Sequence, residues 1–156
     1  MCPSTGPLYL LSFGDLVYHY EFQVCEVYDG DTMKGVLDLG DGTYRGHPDR
    51  RKSWRSIRFL GINTPEKRGD SYEDGILVRD YVRKMLPLKT WCEVYTELDK
   101  EGGFGRLLGR VVLPSGGIDL CAHLLERGYA IEYKPSTPHP GLTDEQRAEI
   151  RAFLDS

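Results

Sequence analysis

FQVCEVYDGDTMKGVLDL, residues 22–39, is the stretch that decides the fold. Apolar residues alternate with polar ones on both sides of its centre, a pattern typical of β-strands. Asp29-Gly30 between two such runs predicts a tight hairpin turn. Asp31 follows the glycine at once, and two carboxylates in one turn repel each other unless a positive charge lies between them. The two acids therefore belong either to a solvated turn or to half of a site for a hard cation such as Ca2+ or Mg2+.

Length and composition fit a single soluble domain. The chain has 156 residues, of which 40% are hydrophobic and 28% are charged, and both values are typical of a globular protein with one core. No apolar run reaches membrane-spanning length, and no basic residue precedes the apolar segment 7–16. Neither a membrane span nor a secretory signal is expected. We therefore expect a cytoplasmic protein, including the case of a phage-encoded protein that acts in its host cell.

Cysteine spacing and charge exclude several classes of protein. The four cysteines stand far apart, so the chain has neither zinc-finger spacing nor a redox dithiol motif. A net charge of −4 argues against a protein that coats nucleic acid, because such binding grows with the number of cationic contacts. Residues 45–58 are an exception, since six cations there accompany a single acid, Asp49. This segment is either a solvated loop or a basic arm that strengthens anion binding.

The periodicity of the chain predicts five strands and three helices. Strands are expected near 18–28, 33–39, 57–62, 91–98 and 106–113, and helices over 75–86, 119–127 and 143–154. Residues 1–19 are expected to be an N-terminal extension with a short strand at 8–11, and residues 20–156 the domain proper. Five strands with a helix after the third predict an α+β fold, a five-stranded OB-fold β-barrel with about three helices. Such barrels commonly bind nucleic acid across one face.

A second polar cluster follows the hairpin by about thirty residues. Arg58 interrupts the apolar run 57–62, and Asn63-Thr64-Pro65-Glu66 follows directly. An arginine in such a run is a local conflict of the kind that marks functional sites, although its stem could also pack while its head reaches solvent. Taken alone, Glu66 would be an exposed loop acid. Together with the two aspartates of the hairpin, the cluster favours a site.

These motifs resemble the staphylococcal nuclease family. The matching segments, in the family's order, are Asp29-Gly30-Asp31-Thr32, Arg58 in a strand, Asn63-Thr64-Pro65-Glu66, Phe104-Gly105-Arg106-Leu107 and Tyr133-Lys134-Pro135. The resemblance covers roughly residues 20–156 and is closest to intracellular and phage-borne members. It implies an OB-fold and Ca2+-dependent hydrolysis of single-stranded DNA or RNA, with cleavage of the bond to the 5′ oxygen and 3′-phosphate products. A monomer is expected, because nothing in the pattern demands a dimer.

The resemblance also implies a set of metal ligands. Asp31 would bind Ca2+ directly, Thr64 would offer its backbone carbonyl, and Asp29 would act through water. Asn63 stands where the staphylococcal enzyme has an aspartate. An amide oxygen can still bind Ca2+, but with one negative charge fewer the affinity is expected to be lower.

Catalytic and substrate-binding roles follow from the same resemblance. Glu66 would deprotonate the attacking water, and Arg58 and Arg106 would bind the phosphate. Two guanidiniums can meet charge on phosphate oxygens with forked hydrogen bonds that lysine cannot reproduce. The remaining expected contacts to the substrate are Lys100, Phe104 and Tyr133.

Two other classes of function stay open. The first is a non-catalytic nucleic-acid-binding barrel, as in degenerate copies of this family's domain, which typically lose the acidic and arginine positions. This chain keeps Asp31, Glu66, Arg58 and Arg106, and that favours an enzyme. The second is a protein-interaction domain that uses exposed tyrosines, for which the retained charges would have no purpose.

Overall fold

A computed structural model of the protein describes residues 18–40, 54–98 and 106–156. The strands of its main sheet are β1 Tyr18–Asp29, β2 Thr32–Leu37, β3 Trp54–Phe59, β5 Trp91–Leu98 and β6 Arg106–Val112. They close into a barrel in the order β1-β2-β3-β6-β5. Strands β3 and β6 run parallel, and the other neighbours run antiparallel. The expected α+β, OB-fold-like barrel is confirmed.

Three helices accompany the barrel in the described ranges: α1 Tyr72–Met85, α2 Leu120–Arg127 and α3 Asp144–Asp155. Two of their boundaries follow local rules visible in the sequence. Gly128 ends α2 in the left-handed conformation with φ 74°, which glycine adopts without strain. Thr143 and Gln146 form a capping box that opens α3. None of these helices has the length and apolar character needed to cross a membrane.

The core fills the barrel and continues beneath the helices. Side chains on the inner face of each strand alternate with outward-facing polar ones, as at Ile57 and Phe59 on either side of Arg58. The helices add their apolar faces to the same cluster. Its largest fully buried side chains include Tyr129, Phe22, Phe59, Met33, Ile62 and Leu124.

The third strand differs from the prediction of 57–62. Strand β3 begins at Trp54 and ends at Phe59, and the chain turns at Gly61 with φ 75°. It resumes as β4 Ile62–Asn63, which pairs with β7 Ile131–Glu132 in a separate two-stranded sheet. The apolar run is continuous in sequence because both pieces are buried, so hydrophobicity alone hides the turn. As a result Arg58 faces outward, and Asn63 returns to lie beside it.

The first helix also begins earlier than the predicted start at residue 75. Residues Gly69–Ser71 form a 3-10 turn, and α1 begins at Tyr72 rather than at Gly75. Asp74 lies inside the helix and is buried. The expected strand at 8–11 lies outside the described residues.

Candidate active site

The hairpin turn carries the two aspartates at one edge of the barrel. Asp29 pairs with Thr32 across the two-residue turn of Gly30 and Asp31. A Cβ at Gly30 would lie 2.7 Å from Val78 Cγ1 and 2.8 Å from Thr64 Oγ1, closer than such atoms can approach. Glycine is therefore needed here because the turn packs directly against α1 and the chain after β4. This contact brings the aspartates to the second polar cluster.

Asp31 is buried, and both oxygens of its carboxylate accept hydrogen bonds. Its Oδ1 lies 2.9 Å from Arg58 Nη1 and accepts a hydrogen bond from Thr32 Oγ1 at 3.2 Å. Its Oδ2 accepts from the Thr64 backbone N–H at 3.2 Å. Burial alone would raise the pKa of Asp31, but hydrogen bonding to Asp29 and the charge of Arg58 hold this pKa below its usual value. Asp31 is therefore an ionised carboxylate at neutral pH.

The pKa of Asp29 is shifted in the opposite direction. Burial, and then the negative charge of Asp31, raise the pKa of Asp29 from 3.8 to about 7. One proton is therefore partly retained by the pair near neutral pH, because Arg58 supplies a single positive charge for two carboxylates. A further cation at this position would displace that proton.

Several oxygen atoms converge on the Arg58 guanidinium. Besides Asp31, they are the Ile62 carbonyl at 3.3 Å and Asn63 Oδ1 at 3.5 Å, both from Arg58 Nη2. Asn63 Nδ2 donates to the Thr137 carbonyl at 3.2 Å, which fixes the amide with its oxygen toward the guanidinium. Carboxylate, amide and carbonyl oxygens are the ligands that Ca2+ and Mg2+ select.

The chemistry of these donors fits a hard cation better than a soft one. Within the described ranges, no three His, Cys, Asp or Glu side chains lie close enough together to hold a metal ion. A cation at Asp31 would thus depend on amide and backbone oxygens in addition to carboxylates. Ca2+ accepts such mixed sets, whereas thiolates and imidazoles are absent from this cluster.

Glu66 is held firmly at its backbone and loosely at its side chain. A Cβ at Gly75 would lie 2.6 Å from the Glu66 carbonyl carbon, so the loop rests directly on α1, and Ser71 Oγ donates to the Glu66 carbonyl at 2.9 Å. The carboxylate accepts a hydrogen bond from Arg68 Nε at 2.7 Å, with 51% of the Glu66 side chain and 81% of the Arg68 side chain exposed. Such exposed pairs are weak, and the Glu66 carboxylate can exchange this partner.

One cleft of about 520 Å³ connects these groups. The expected metal-binding residues that line it are Asp29, Asp31, Asn63 and Thr64. The expected catalytic residues that line it are Arg58, Glu66 and Arg106. Seven of the ten residues expected at the site thus lie along one cleft.

The other three residues stand apart. The Tyr133 ring lies beneath the Arg58 guanidinium, with 5.5 Å between Arg58 Cζ and the ring centroid. It is not among the residues that line the cleft, so it supports Arg58 from outside. Lys100 and Phe104 lie outside the described residues, as do residues 45–53 of the basic segment.

Strand register places the cations of the cleft. Thr32 pairs with Arg58, and in the next outward-facing row Lys34 pairs with Ser56, which pairs in turn with Arg106. Of the described residues that line the cleft, five are cations and three are carboxylates. A local excess of positive charge on a chain with net charge −4 favours an anionic ligand.

Five cleft residues outside the quoted motifs were not predicted from the sequence: Tyr28, Lys34, Ser56, Lys67 and Arg68. Lys34 had a usable signal, because it is two residues from Thr32 and so shares its face of β2. Lys67 and Arg68 follow Glu66 directly in the chain. The position of Tyr28 depends on a bulge in β1 that the sequence pattern does not predict.

No protein-family model matches the chain, and no curated protein matches it. The likeness to the staphylococcal nuclease family therefore stays a hypothesis, carried by the motifs quoted above.

Proposed function

We propose that the protein is a Ca2+-dependent nuclease of the staphylococcal nuclease type that hydrolyses phosphodiesters in single-stranded DNA or RNA. The observation that carries the proposal is that Asp31, Glu66, Arg58 and Arg106 line one cleft. These residues lie up to 75 positions apart in the chain, and the fold brings both arginines and both acids to one opening. The excess of cations in the cleft supports a phosphate-bearing ligand.

The two arginines would bind the scissile phosphate. Arg58 is oriented by Asp31 and by the Tyr133 ring, and Arg106 begins the neighbouring strand β6. Guanidiniums suit this task because negative charge grows on the non-bridging oxygens as attack proceeds. Loss of one fixed donor in comparable sites costs about 2.7–4 kcal/mol of transition-state stabilisation.

Ca2+ would be held by Asp31, the Asn63 amide oxygen and the Thr64 carbonyl, with Asp29 supporting through water. When bound, the ion would supply positive charge that polarises the phosphodiester. In the structure Arg58 neutralises the charge of Asp31. A bound Ca2+ would neutralise Asp31 instead, and the donors of Arg58 would then be available to the substrate. The raised pKa of Asp29 supports the same assignment, since the carboxylate pair lacks positive charge.

Glu66 would act as the general base. It would accept a proton from water while the water oxygen attacks phosphorus. The bond to the 5′ oxygen would break, and that oxygen would take up a proton from solvent, which leaves a 3′-phosphate and a 5′-hydroxyl. General-base catalysis contributes about 10²–10⁴-fold in rate. Glu66 must leave Arg68 to do this, which is cheap for an exposed pair.

The test uses a single-stranded oligonucleotide, wild-type protein and Glu66→Gln, each with Ca2+ or with a chelator. Glu73→Gln is the matched control, because Glu73 is an exposed acid on α1 that does not line the cleft. We expect cleavage that requires Ca2+, falls at least 100-fold in Glu66→Gln and is retained in Glu73→Gln. Cleavage that survives both the chelator and Glu66→Gln would defeat the proposal.

A nucleic-acid-binding module without turnover is the second candidate. The pairing of Glu66 with Arg68, rather than with the Asp31 cluster, favours it. This candidate predicts saturable binding of the same oligonucleotide with no product under any metal condition.

A further inference from the structure

We propose that Tyr28, Lys34 and Lys67 form a second phosphate-binding subsite of the cleft, which holds a phosphate next to the one being cut. The inference rests on the proposed function in one respect, namely that the ligand is a nucleic-acid strand. It concerns residues to which the family resemblance assigns no role.

A bulge in β1 directs Tyr28 to the cleft. Val27 pairs with Met33 and Asp29 pairs with Thr32, so Tyr28 is an extra residue without a partner on β2. Bulges re-aim side chains and are common beside active sites. Tyr28 is 47% exposed and lines the cleft next to the hairpin aspartates.

Two lysines from different segments gather at this ring. Lys67 Nζ lies 4.1 Å from the ring centroid and donates a hydrogen bond to the Tyr28 carbonyl. Lys34 Nζ lies 4.8 Å from the same centroid. Both distances are within the range of a cation–π contact, about 6 Å. The ring therefore holds two ammonium groups at the rim of the cleft.

These two positive charges have no anionic partner among the residues that the structure describes. Among residues 18–40, 54–98 and 106–156, neither lysine forms an ion pair with a carboxylate. Like charges held near one ring repel each other, and an anion between them removes the repulsion. This arrangement favours binding of a phosphate group over a purely structural role for the lysines.

The lysine pair is separate from the arginine pair but belongs to the same surface. Lys34 and Arg106 lie in one cross-strand row with Ser56 between them, so their backbones are about 10 Å apart at the usual strand spacing. A strand of nucleic acid presents phosphates at regular intervals and can engage both pairs. Lysine suits a phosphate that does not react, since its ammonium acts as a point charge without the fixed fork of arginine.

The test compares two substrates: a single-stranded decanucleotide and a dinucleoside monophosphate, which has one phosphodiester and no neighbouring phosphate. The variant is Lys34→Gln with Lys67→Gln, and the control is Lys89→Gln, an exposed lysine away from the cleft. We expect the ratio of kcat/KM for the decanucleotide to that for the dinucleotide to fall at least tenfold in the double variant, mainly through KM. The control should keep the wild-type ratio.

A binding measurement keeps the subsite testable if no cleavage occurs. Fluorescence anisotropy of the labelled decanucleotide in chelator gives the dependence of log K on log salt, whose slope should shrink by about 0.7–1.4 in the double variant. Tyr28→Phe, which keeps the ring, should lose less of this slope than Tyr28→Leu.

The outcomes separate the two proposals. Binding without cleavage by the wild type would overturn the proposed nuclease while the slope still decides the subsite. The subsite proposal would be wrong, even if the protein is a nuclease, in either of two cases. In the first, the salt slope is unchanged in the double variant; in the second, kcat/KM falls equally for both substrates.

Discussion

Two buried carboxylates of this protein have the same kinds of partner, an arginine and a backbone N–H, but different surroundings. Asp31, in the cleft, lies 2.9 Å from Arg58, and Asp74, on α1, lies 2.8 Å from Arg147 on α3. Each carboxylate also accepts a backbone N–H, at 3.2 Å and 2.9 Å respectively. By burial and pairing alone the two positions could not be told apart.

The difference lies in what surrounds each pair. Beside Asp31 stands Asp29, whose pKa burial and the neighbouring charge raise to about 7. The pKa of Asp74 is lowered, first by its hydrogen bonds from Arg147, and the other acid on that arginine, Asp144, is fully exposed. The Asp74 pair is balanced and fastens one helix to another. The Asp31 pair is unbalanced and opens into a cleft, which is the better indication of a binding site.

The largest expected effect contrasts the two arginines. Arg58→Ala should lower the rate of the proposed Ca2+-dependent cleavage of single-stranded DNA by about 10²–10³-fold, because the proposed fixed donor to the phosphate is lost. Arg58→Lys should not restore it, since lysine lacks the fork. Arg147→Ala should lower the melting temperature and leave the rate unchanged at temperatures where the protein is folded. If a folded Arg147→Ala protein lost as much rate as Arg58→Ala, the distinction between a functional and a structural arginine would be wrong.

The second expected effect is on the free energy of unfolding at pH 8, and its sign is opposite for Asp29 and Asp74. The fold raises the pKa of Asp29, so it favours the protonated acid, and stability falls as the pH rises from about 4 to about 7. Asp29→Asn should therefore stabilise the metal-free protein at pH 8, on the order of 1–3 kcal/mol, and change little at pH 4.

Asp74→Asn should do the reverse. A lowered pKa contributes stability above the ordinary value of 3.8, and this is lost as the pH falls through the lowered value. The substitution should therefore destabilise the protein at pH 8 and lose its effect in acid. Denaturant unfolding at both pH values measures the two variants, and equal signs at pH 8 would contradict the comparison.

A third, smaller effect concerns metal affinity. Asn63→Asp should tighten Ca2+ binding by on the order of tenfold, or 1.4 kcal/mol, because it adds a charged ligand. The gain is limited by the lost hydrogen bond from Asn63 Nδ2 to the Thr137 carbonyl. Calorimetric titration with Ca2+ measures it, and weaker or equal affinity would remove Asn63 from the ligand set.

The smallest expected effect is at Arg68. Arg68→Ala removes an exposed partner of Glu66, and such pairs contribute little. The rate on single-stranded DNA should change less than about fivefold. A loss as large as that of Arg58→Ala would mean that Arg68 itself contacts the substrate.

Local signals made much of this fold predictable. The hairpin at Gly30, the stop at Gly128 and the capping box at Thr143 each depend on residues a few positions apart, and the hairpin and helix bounds near 127 and 143 were predicted from the sequence. The end of β3 was not, because Phe59 and Ile62 are both apolar although they belong to different sheets. Sequence patterns record burial better than they record which layer a residue is buried in.

The candidate site shows the same limit. Residues within a motif could be proposed, and Lys34 could have been added from its face of β2. Asp74 could not be recognised as buried, because its partner Arg147 is 73 positions away. The bulge that turns Tyr28 toward the cleft changes the register by one residue, and it leaves no mark in the alternation of β1.

Gly30 offers a way to separate the shape of the cleft from its chemistry. A single methyl group there would meet Val78 and Thr64 at less than 3 Å and act as a wedge under the hairpin tip. Gly30→Ala would keep every proposed ligand, the proposed base and both guanidiniums in the chain while displacing two of the acids from the rest. Such a protein would contain all the functional groups of the cleft but would hold them in the wrong positions.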